Sequence, residues 1–290
     1  MNLFDLHCDT LYRGVKENLE FDGKNTAVDF FSSETEKYVQ VFAAFIPDDS
    51  PDGFADFVRI LNYMKKNNIK PVADANGLKK NRVALFSVEN GKALGDNINN
   101  LDFMYKNGVR MMTLTWNGKN SLASGNAQKG GLTDFGRNVI KRMNRLKMAV
   151  DLSHINCQGF CEAIKISDYP VASHSCFYGL VNHRRNLKDN QAKLIAQKGG
   201  IIGIAVYPEF LGKGEPFEQF KKQVKYGLNL GLENNLAIGA DLDGGKMHPD
   251  LSRTSHFCKL YDYLKKDFGT EITNALFYDN AKKYFEKLLS

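Results

Sequence analysis

No apolar run in the 290 residues approaches the length a membrane span requires. The opening Met-Asn-Leu-Phe-Asp-Leu-His carries no basic segment and no cleavage site, so neither a signal peptide nor a membrane partner is expected. Cysteine is sparse. Cys8, Cys157, Cys161, Cys176 and Cys258 are odd in number and follow no framework spacing, which excludes a disulfide scaffold and predicts reduced thiols in a cytoplasmic protein. Cys157 and Cys161 share a helix face and are expected as small buried apolar residues. No Pro/Gly/Ser-rich linker and no internal repeat divides the chain, so residues 1–290 read as one domain. Basic charge is not concentrated either. The formal net charge is +6, but Lys65-Lys66, Lys79-Lys80, Arg142, Arg145 and Lys221-Lys222 are scattered over helix-like segments without interleaved aromatics, and no nucleic-acid partner is expected.

What is present is a balance of 43% hydrophobic and 25% charged residues, enough to bury a full core. The pattern centres on Ala149-Val-Asp-Leu-Ser-His154 and Ser173-His174-Ser175. In each half a short apolar run, 148–152 and then 170–172, reaches a histidine where the chain turns polar. Runs of this length suit strands buried on both faces, and Phe160, Ala163 and Ile164 mark a helix between them. The unit is βαβ, which makes the strands parallel neighbours with His154 and His174 at one rim. Further strands are expected at 2–6, 38–46, 83–88, 109–115, 201–206 and 236–240. Helices alternate with them, one at 97–106 capped by Asp96, others capped by Thr133 and Asp189, and two closing helices at 255–267 and 271–289. A Gly/Asn/Ser-rich loop, 116–131, has the length of a functional segment. Eight strands alternating with helices predict an α/β fold, a single (β/α)8 TIM-type barrel.

In such a barrel the reactive groups come from the carboxyl ends of the strands. This chain places His7 and Asp9 there, with Glu89, His154, His174 and Asp241. Three carboxylates crowded at one mouth would repel and raise one another's pKa, a conflict that divalent cations remove. Carboxylate oxygens with neutral imidazoles suit Zn²⁺ and, less specifically, Mn²⁺, Co²⁺ or Fe²⁺. The ligand count favours two ions, each with two private ligands and Glu89 shared. Two ions about 3.5–4 Å apart polarise a carbonyl and activate the water between them, leaving Asp241 as proton shuttle. Taken singly, each residue also has a structural reading: Asp5 or Asp9 as a helix cap, Glu89 as an ion-pair member, Asp241-Leu-Asp-Gly244 as a turn.

With these residues in hand, the sequence resembles the membrane (renal) dipeptidase family of zinc peptidases within the wider amidohydrolase group. The matching segments are Asp5-Leu-His-Cys-Asp9, Ser87-Val-Glu-Asn-Gly91, Thr113-Leu-Thr115, Gly131-Leu-Thr-Asp-Phe-Gly136, Met143-Asn144, Val150-Asp-Leu-Ser-His154, Ser173-His-Ser175, Arg184-Arg-Asn186 and Gly239-Ala-Asp-Leu-Asp-Gly244. They occur in the family's order and span nearly the whole chain. The resemblance implies a binuclear-zinc dipeptidase acting through a metal-bridging hydroxide. His7, Asp9 and Glu89 would hold one zinc, and Glu89, His154 and His174 the other. It also implies that Arg185 clamps the C-terminal carboxylate of a dipeptide substrate, and it admits a homodimer. Two positions depart from the family pattern. Trp116 stands where the family often has a histidine that helps hold the tetrahedral intermediate, so oxyanion contacts pass to zinc, to the indole or to Asn117. Asn90 replaces the first of two glycines after Glu89. A related metal-dependent amidohydrolase acting on N-acyl amino acids, lactams or another amide remains an alternative, as does a barrel that binds a small ligand without catalysis.

Overall fold

The computed structural model describes residues 1–31 and 35–290. Eight parallel strands close into a barrel in chain order: β1 (Leu3–Cys8), β2 (Tyr38–Phe45), β3 (Arg82–Glu89), β4 (Val109–Thr113), β5 (Ala149–Asp151), β6 (Pro170–Ser175), β7 (Ile201–Ile204) and β8 (Leu236–Ile238). The α-helices of the described residues are α1 (Thr10–Glu17), α2 (Gly53–Lys66), α3 (Asn99–Lys106), α4 (Asp134–Arg145), α5 (Cys157–Ile166), α6 (Asp189–Gln197), α7 (Pro208–Leu211), α8 (Pro216–Asn229), α9 (Phe257–Asn274) and α10 (Asn280–Leu289). This is the (β/α)8 TIM-type barrel expected from the sequence. Helices cover the outside and side chains fill the inside, so the strands are buried on both faces and are mostly apolar, with single polar residues such as Gln40, Ser87 and Arg110 within them. No helix among the described residues is long and apolar enough to cross a membrane.

The lower barrel is an apolar plug. Phe4, Leu6, Val41, Leu85, Val171 and Ile201 meet Tyr284, Phe285 and Leu288 of α10, which closes the amino-terminal end of the strands. Phe4 and Phe285 stack with ring centres 5.2 Å apart. Toward the other end, three strand pairings break register, one of them β3–β4 between Phe86 and Ser87 and the other two beside site histidines. Strict alternation from Phe4 and Leu6 would send His7 toward the helices; the irregularity between Asp5 and Cys8 turns it inward, and His7 N–H donates to Asp5 Oδ1 at 3.3 Å. A second irregularity, between Ala172 and Ser175, does the same for His174.

Several expected details differ. Asp189 is the first residue of α6 rather than its cap, which is Lys188; its carboxylate instead accepts the Tyr226 hydroxyl at 3.0 Å. Asp96 does not cap α3. It adopts a left-handed φ of 59°, and Asn97 Oδ1 accepts Asn99 N–H at 3.0 Å. Thr133 caps α4, accepting Gly136 N–H at 2.9 Å. Cys157 and Cys161 are exposed. The face of α5 that packs inward is Gly159, Phe160, Ala163 and Ile164, which leaves the cysteines on the other side. Near the C-terminus α9 runs past the expected stop and breaks at Gly269, whose φ of 76° a side chain would oppose.

Candidate active site

The carboxyl ends of the strands bring the expected groups together. His7 Nε2 lies 3.3 Å from Glu89 Oε2, 3.8 Å from Asp9 Oδ1 and 3.9 Å from Asp241 Oδ1. Glu89 Oε1 lies 2.9 Å from His154 Nε2 and 3.7 Å from His174 Nε2. Three overlapping trios have donor atoms within 4.8 Å of one another: His7, Asp9 and Glu89; Glu89, His154 and His174; and His7, His174 and Asp241. Asp9 occupies the cap position of α1 but makes no side-chain cap bond, so its carboxylate stays free for the mouth.

Backbone strain gathers here too. His154, Asp241, Asp243 and Asn90 have φ of 66°, 64°, 65° and 80°, conformations costly for side-chain-bearing residues and held only where the surroundings over-determine them. Gly244 has to be a glycine for a different reason. A Cβ there would meet Asp241 Oδ1 at 2.3 Å and Asp9 Oδ2 at 2.6 Å.

The tautomers of two histidines follow from their neighbours. Asn126 Nδ2 donates to His154 O at 3.2 Å and to Asn117 Oδ1 at 2.8 Å. The Asn117 atom facing His154 Nδ1 at 3.1 Å is therefore an oxygen, and Nδ1 carries the proton. On the other side, Asp151 Oδ2 accepts from Ser173 Oγ at 2.5 Å and from Thr113 Oγ1 at 2.6 Å. Ser173 Oγ spends its proton on Asp151 and accepts from His174 Nδ1 at 2.8 Å. Both Nε2 atoms then present lone pairs, and they face each other at 2.9 Å beside Glu89 Oε1. Three acceptors converge with no proton assigned among them. His7 Nδ1 and Nε2 and Asp9 Oδ1 are also buried without hydrogen-bond partners. A divalent cation satisfies such a donor set, and the side chains present fit one.

Electrostatics point the same way. Burial, then the Asp9 charge, pushes the Glu89 carboxyl up to about 8. Burial lifts Asp241 to about 7, with His7 opposing the rise and Asp9 reinforcing it. Burial holds His154 and His174 well below the ordinary imidazole range, helped by Arg185 and His7. Burial also opposes charge on His7, but Glu89 and Asp9 outweigh it and leave its pKa raised. Glu89 and Asp241 pushed toward holding protons, with His154 and His174 kept neutral, mark a site short of positive charge, and His7 is the imidazole that the carboxylates draw toward its charged form.

These groups lie at the foot of a basin of about 1190 Å³ that Trp116, Asn117 and Arg185 also line. Trp116 stands edge-on to Phe45 with ring centres 5.1 Å apart, and Phe45 in turn meets Tyr12 at 4.8 Å. Asn117 Oδ1 is engaged by Asn126 Nδ2 at 2.8 Å and faces His154 Nδ1 at 3.1 Å, and Asn117 also lines the basin. Arg185 is buried over the Phe210 ring; Nη2 donates to His174 O at 2.9 Å and Nε has no partner. The sequence assigned no role to Asp151, Ser173, Asn126 or Asp243. Asp243 accepts from Thr10 Oγ1 at 2.7 Å, Arg13 Nη1 at 2.8 Å and Ala27 N–H at 3.0 Å, tying α1 and the segment after it to the loop that carries Asp241. The Asp-x-Asp spacing was the visible signal for Asp243; its partners were not adjacent in sequence.

Comparison with known proteins bears on this site. The chain matches the model of the family described as membrane dipeptidase, peptidase family M19, over residues 1–288. An uncharacterised protein of the pqqA 5′ region of Klebsiella pneumoniae is 31% identical over 180 residues, 57% of this chain and 66% of that protein. The match thus covers just under two thirds of that relative's length. A solved metallopeptidase described as dipeptidase AC superposes with a TM-score of 0.89 at 20% identity, covering 100% of this chain and 99% of its own. A metallopeptidase from Rhodobacter sphaeroides, solved with a phosphinate mimic of L-Ala-D-Ala, gives 0.89 at 19% identity and 99% coverage of both. At such identities the superpositions establish the shared fold.

Proposed function

This chain belongs to the membrane dipeptidase family, peptidase family M19, and from that membership we propose that residues 1–290 form one metal-dependent hydrolase domain cleaving dipeptides that carry a free C-terminal carboxylate. The observation that carries the reading is the convergence of His154 Nε2, His174 Nε2 and Glu89 Oε1, lone pairs facing one another in a buried site. His7, Asp9 and Glu89 would hold one zinc ion, and Glu89, His154 and His174 a second. Bound there, the ions supply Lewis acidity that polarises the scissile carbonyl and acidifies the attacking water.

The chain's own groups do the rest. Asp241, 3.9 Å from His7 Nε2 and with a pKa near neutrality, takes a proton from the attacking water and returns it to the leaving amine. Arg185 fixes the substrate carboxylate with a planar fork whose Nε is free of protein partners. Trp116, with Phe45 and Tyr12, walls the basin beside His154, and its indole contributes one N–H donor toward charge developing on the carbonyl oxygen. Asn117 acts by holding the His154 tautomer. All five cysteines are free, and we place the protein in the cytoplasm on that ground.

The test is metal analysis of protein purified without chelator, alongside dipeptide hydrolysis. Close to two ions per chain are expected, and Glu89→Gln loses both metal and turnover. Full activity in metal-free protein sinks the reading. Trp116, at a position where the family often has histidine, favours one second reading, hydrolysis of N-acyl amino acids or another amide. Turnover of acyl amino acids with none of any dipeptide would select it.

A further inference from the structure

Beside the main basin lies a smaller cavity of about 310 Å³, between the loops that follow β5 and β6. The two share His154, Asn126, Arg184 and Arg185 in their linings. The cavity floor is apolar, formed by Leu152, Ile155, Phe160 and Leu187. Its charges have one sign: Arg184, Arg185 and Lys188 line it, and no aspartate or glutamate does. None of the three cations lies within ion-pair distance of an acid among the described residues. Two buried polar atoms in the lining, Ser175 Oγ and Arg185 Nε, have no hydrogen-bond partner.

A dipeptide spans two landmarks of this site. Its scissile carbonyl belongs over the cluster that includes His154, and its carboxylate belongs on Arg185. Both residues border the side cavity, so the Cα between them, that of the C-terminal residue, stands at the cavity's entrance. β2, which carries Phe45, is four strands from β6 in a ring of eight and therefore across the barrel, so on the dipeptidase reading the space on that side is left to the N-terminal residue. Resting on the dipeptidase reading, we propose that this side cavity receives the side chain of the substrate's C-terminal residue and selects an acidic one, making Xaa-Asp and Xaa-Glu dipeptides the preferred substrate class. Arg184 and Lys188 supply the attraction at the rim, and a lysine side chain there meets like charge. The apolar floor accommodates the methylene portion of the acidic side chain.

The experiment compares kcat/KM for Ala-Glu, Ala-Gln, Ala-Ala and Ala-Lys, each with an L- and a D-configured second residue, on the metal-loaded enzyme. Ala-Gln is the critical control, having the size of Ala-Glu without its charge. A preference for Ala-Glu over Ala-Gln of about tenfold is expected, the scale of one charge-assisted contact, with Ala-Lys the poorest. The double variant Arg184→Gln, Lys188→Gln changes two exposed residues, and its Ala-Glu to Ala-Gln ratio is expected to fall to about one. Equal turnover of Ala-Glu and Ala-Gln by the unaltered enzyme overturns the subsite while leaving the dipeptidase reading intact. A preference that survives unchanged in the double variant overturns the role of these two cations. If no dipeptide is hydrolysed, the subsite and the reading beneath it fall together.

Discussion

At the amino-terminal ends of the strands, Phe4, Val41, Leu85 and Ile201 pack against Phe285 and Leu288 in an apolar layer closed by α10. Further along the same strands, His7 and Glu89 share a buried space with His154, His174, Asp9 and Asp241. One end lowers the free energy of the fold by taking hydrocarbon out of water. The other raises it, since Glu89 and Asp241 are carboxyls whose ionised forms burial disfavours, and Asp241, Asn90, His154 and Asp243 hold left-handed backbone. Stability and chemistry are therefore separable along the barrel axis, and substitutions at the two ends should have opposite signatures.

The largest expected effect is at the polar end. Asp241→Asn keeps the shape and removes the proton acceptor we propose, so on that reading kcat should fall by about 10²–10⁴-fold, the range for loss of a general acid–base group. Stability should move the other way. A carboxyl whose folded pKa is raised to about 7 contributes stability below its unfolded pKa and loses it as the pH rises through 7. Above that pH the asparagine variant, in the metal-free form, is expected to melt no lower than the parent. A variant that lost activity and melted well below the parent would mean that Asp241 serves the fold.

The reverse substitution is Phe285→Ala. Phe285 is fully buried against Phe4, and its truncation is expected to cost about 3–5 kcal/mol of unfolding free energy in denaturant titration. The folded fraction should keep its metal content and its kcat/KM. Loss of metal from still-folded protein would break the separation and show that the plug sets the position of the cluster above it.

The sequence carried much of this division, for identifiable reasons. Strand runs such as 83–88 are visible because a strand buried on both faces is apolar at nearly every position, Ser87 being the exception in this one, and the site residues are visible because charged groups and imidazoles stand at the ends of those runs. What stayed hidden depends on register or on remote contacts. Alternation from Phe4 and Leu6 assigns His7 to the wrong face, and only the irregularity between Asp5 and Cys8 corrects it. Asp151 reads as one polar residue in a short strand; its work depends on Ser173 and Thr113, 22 and 38 residues away. The exposure of the two α5 cysteines was hidden because the helix packs through Phe160 and Ile164, and composition alone does not say which stripe faces inward.

The smallest effect tests how finely the polar end is built. His174 reaches the cluster with its proton held on Nδ1 by Ser173 Oγ, which is itself fixed by Asp151. Ser173→Ala leaves Asp151 Oδ2 with Thr113 alone on that oxygen and frees the His174 ring to rotate or to exchange tautomers. Outer contacts of this kind are worth about 10–100-fold in metal affinity. Chelator competition should therefore show a divalent metal ion held about 10–100-fold more weakly, with circular dichroism and melting temperature near those of the parent. Thr113→Val is the paired control. It removes the other hydroxyl from the same Asp151 oxygen but leaves the Ser173 link to His174 in place, so its effect should be the smaller of the two. Equal losses from both would locate the control in the Asp151 carboxylate as a whole, and no loss from either would show that the cluster orients His174 without help from the strand behind it.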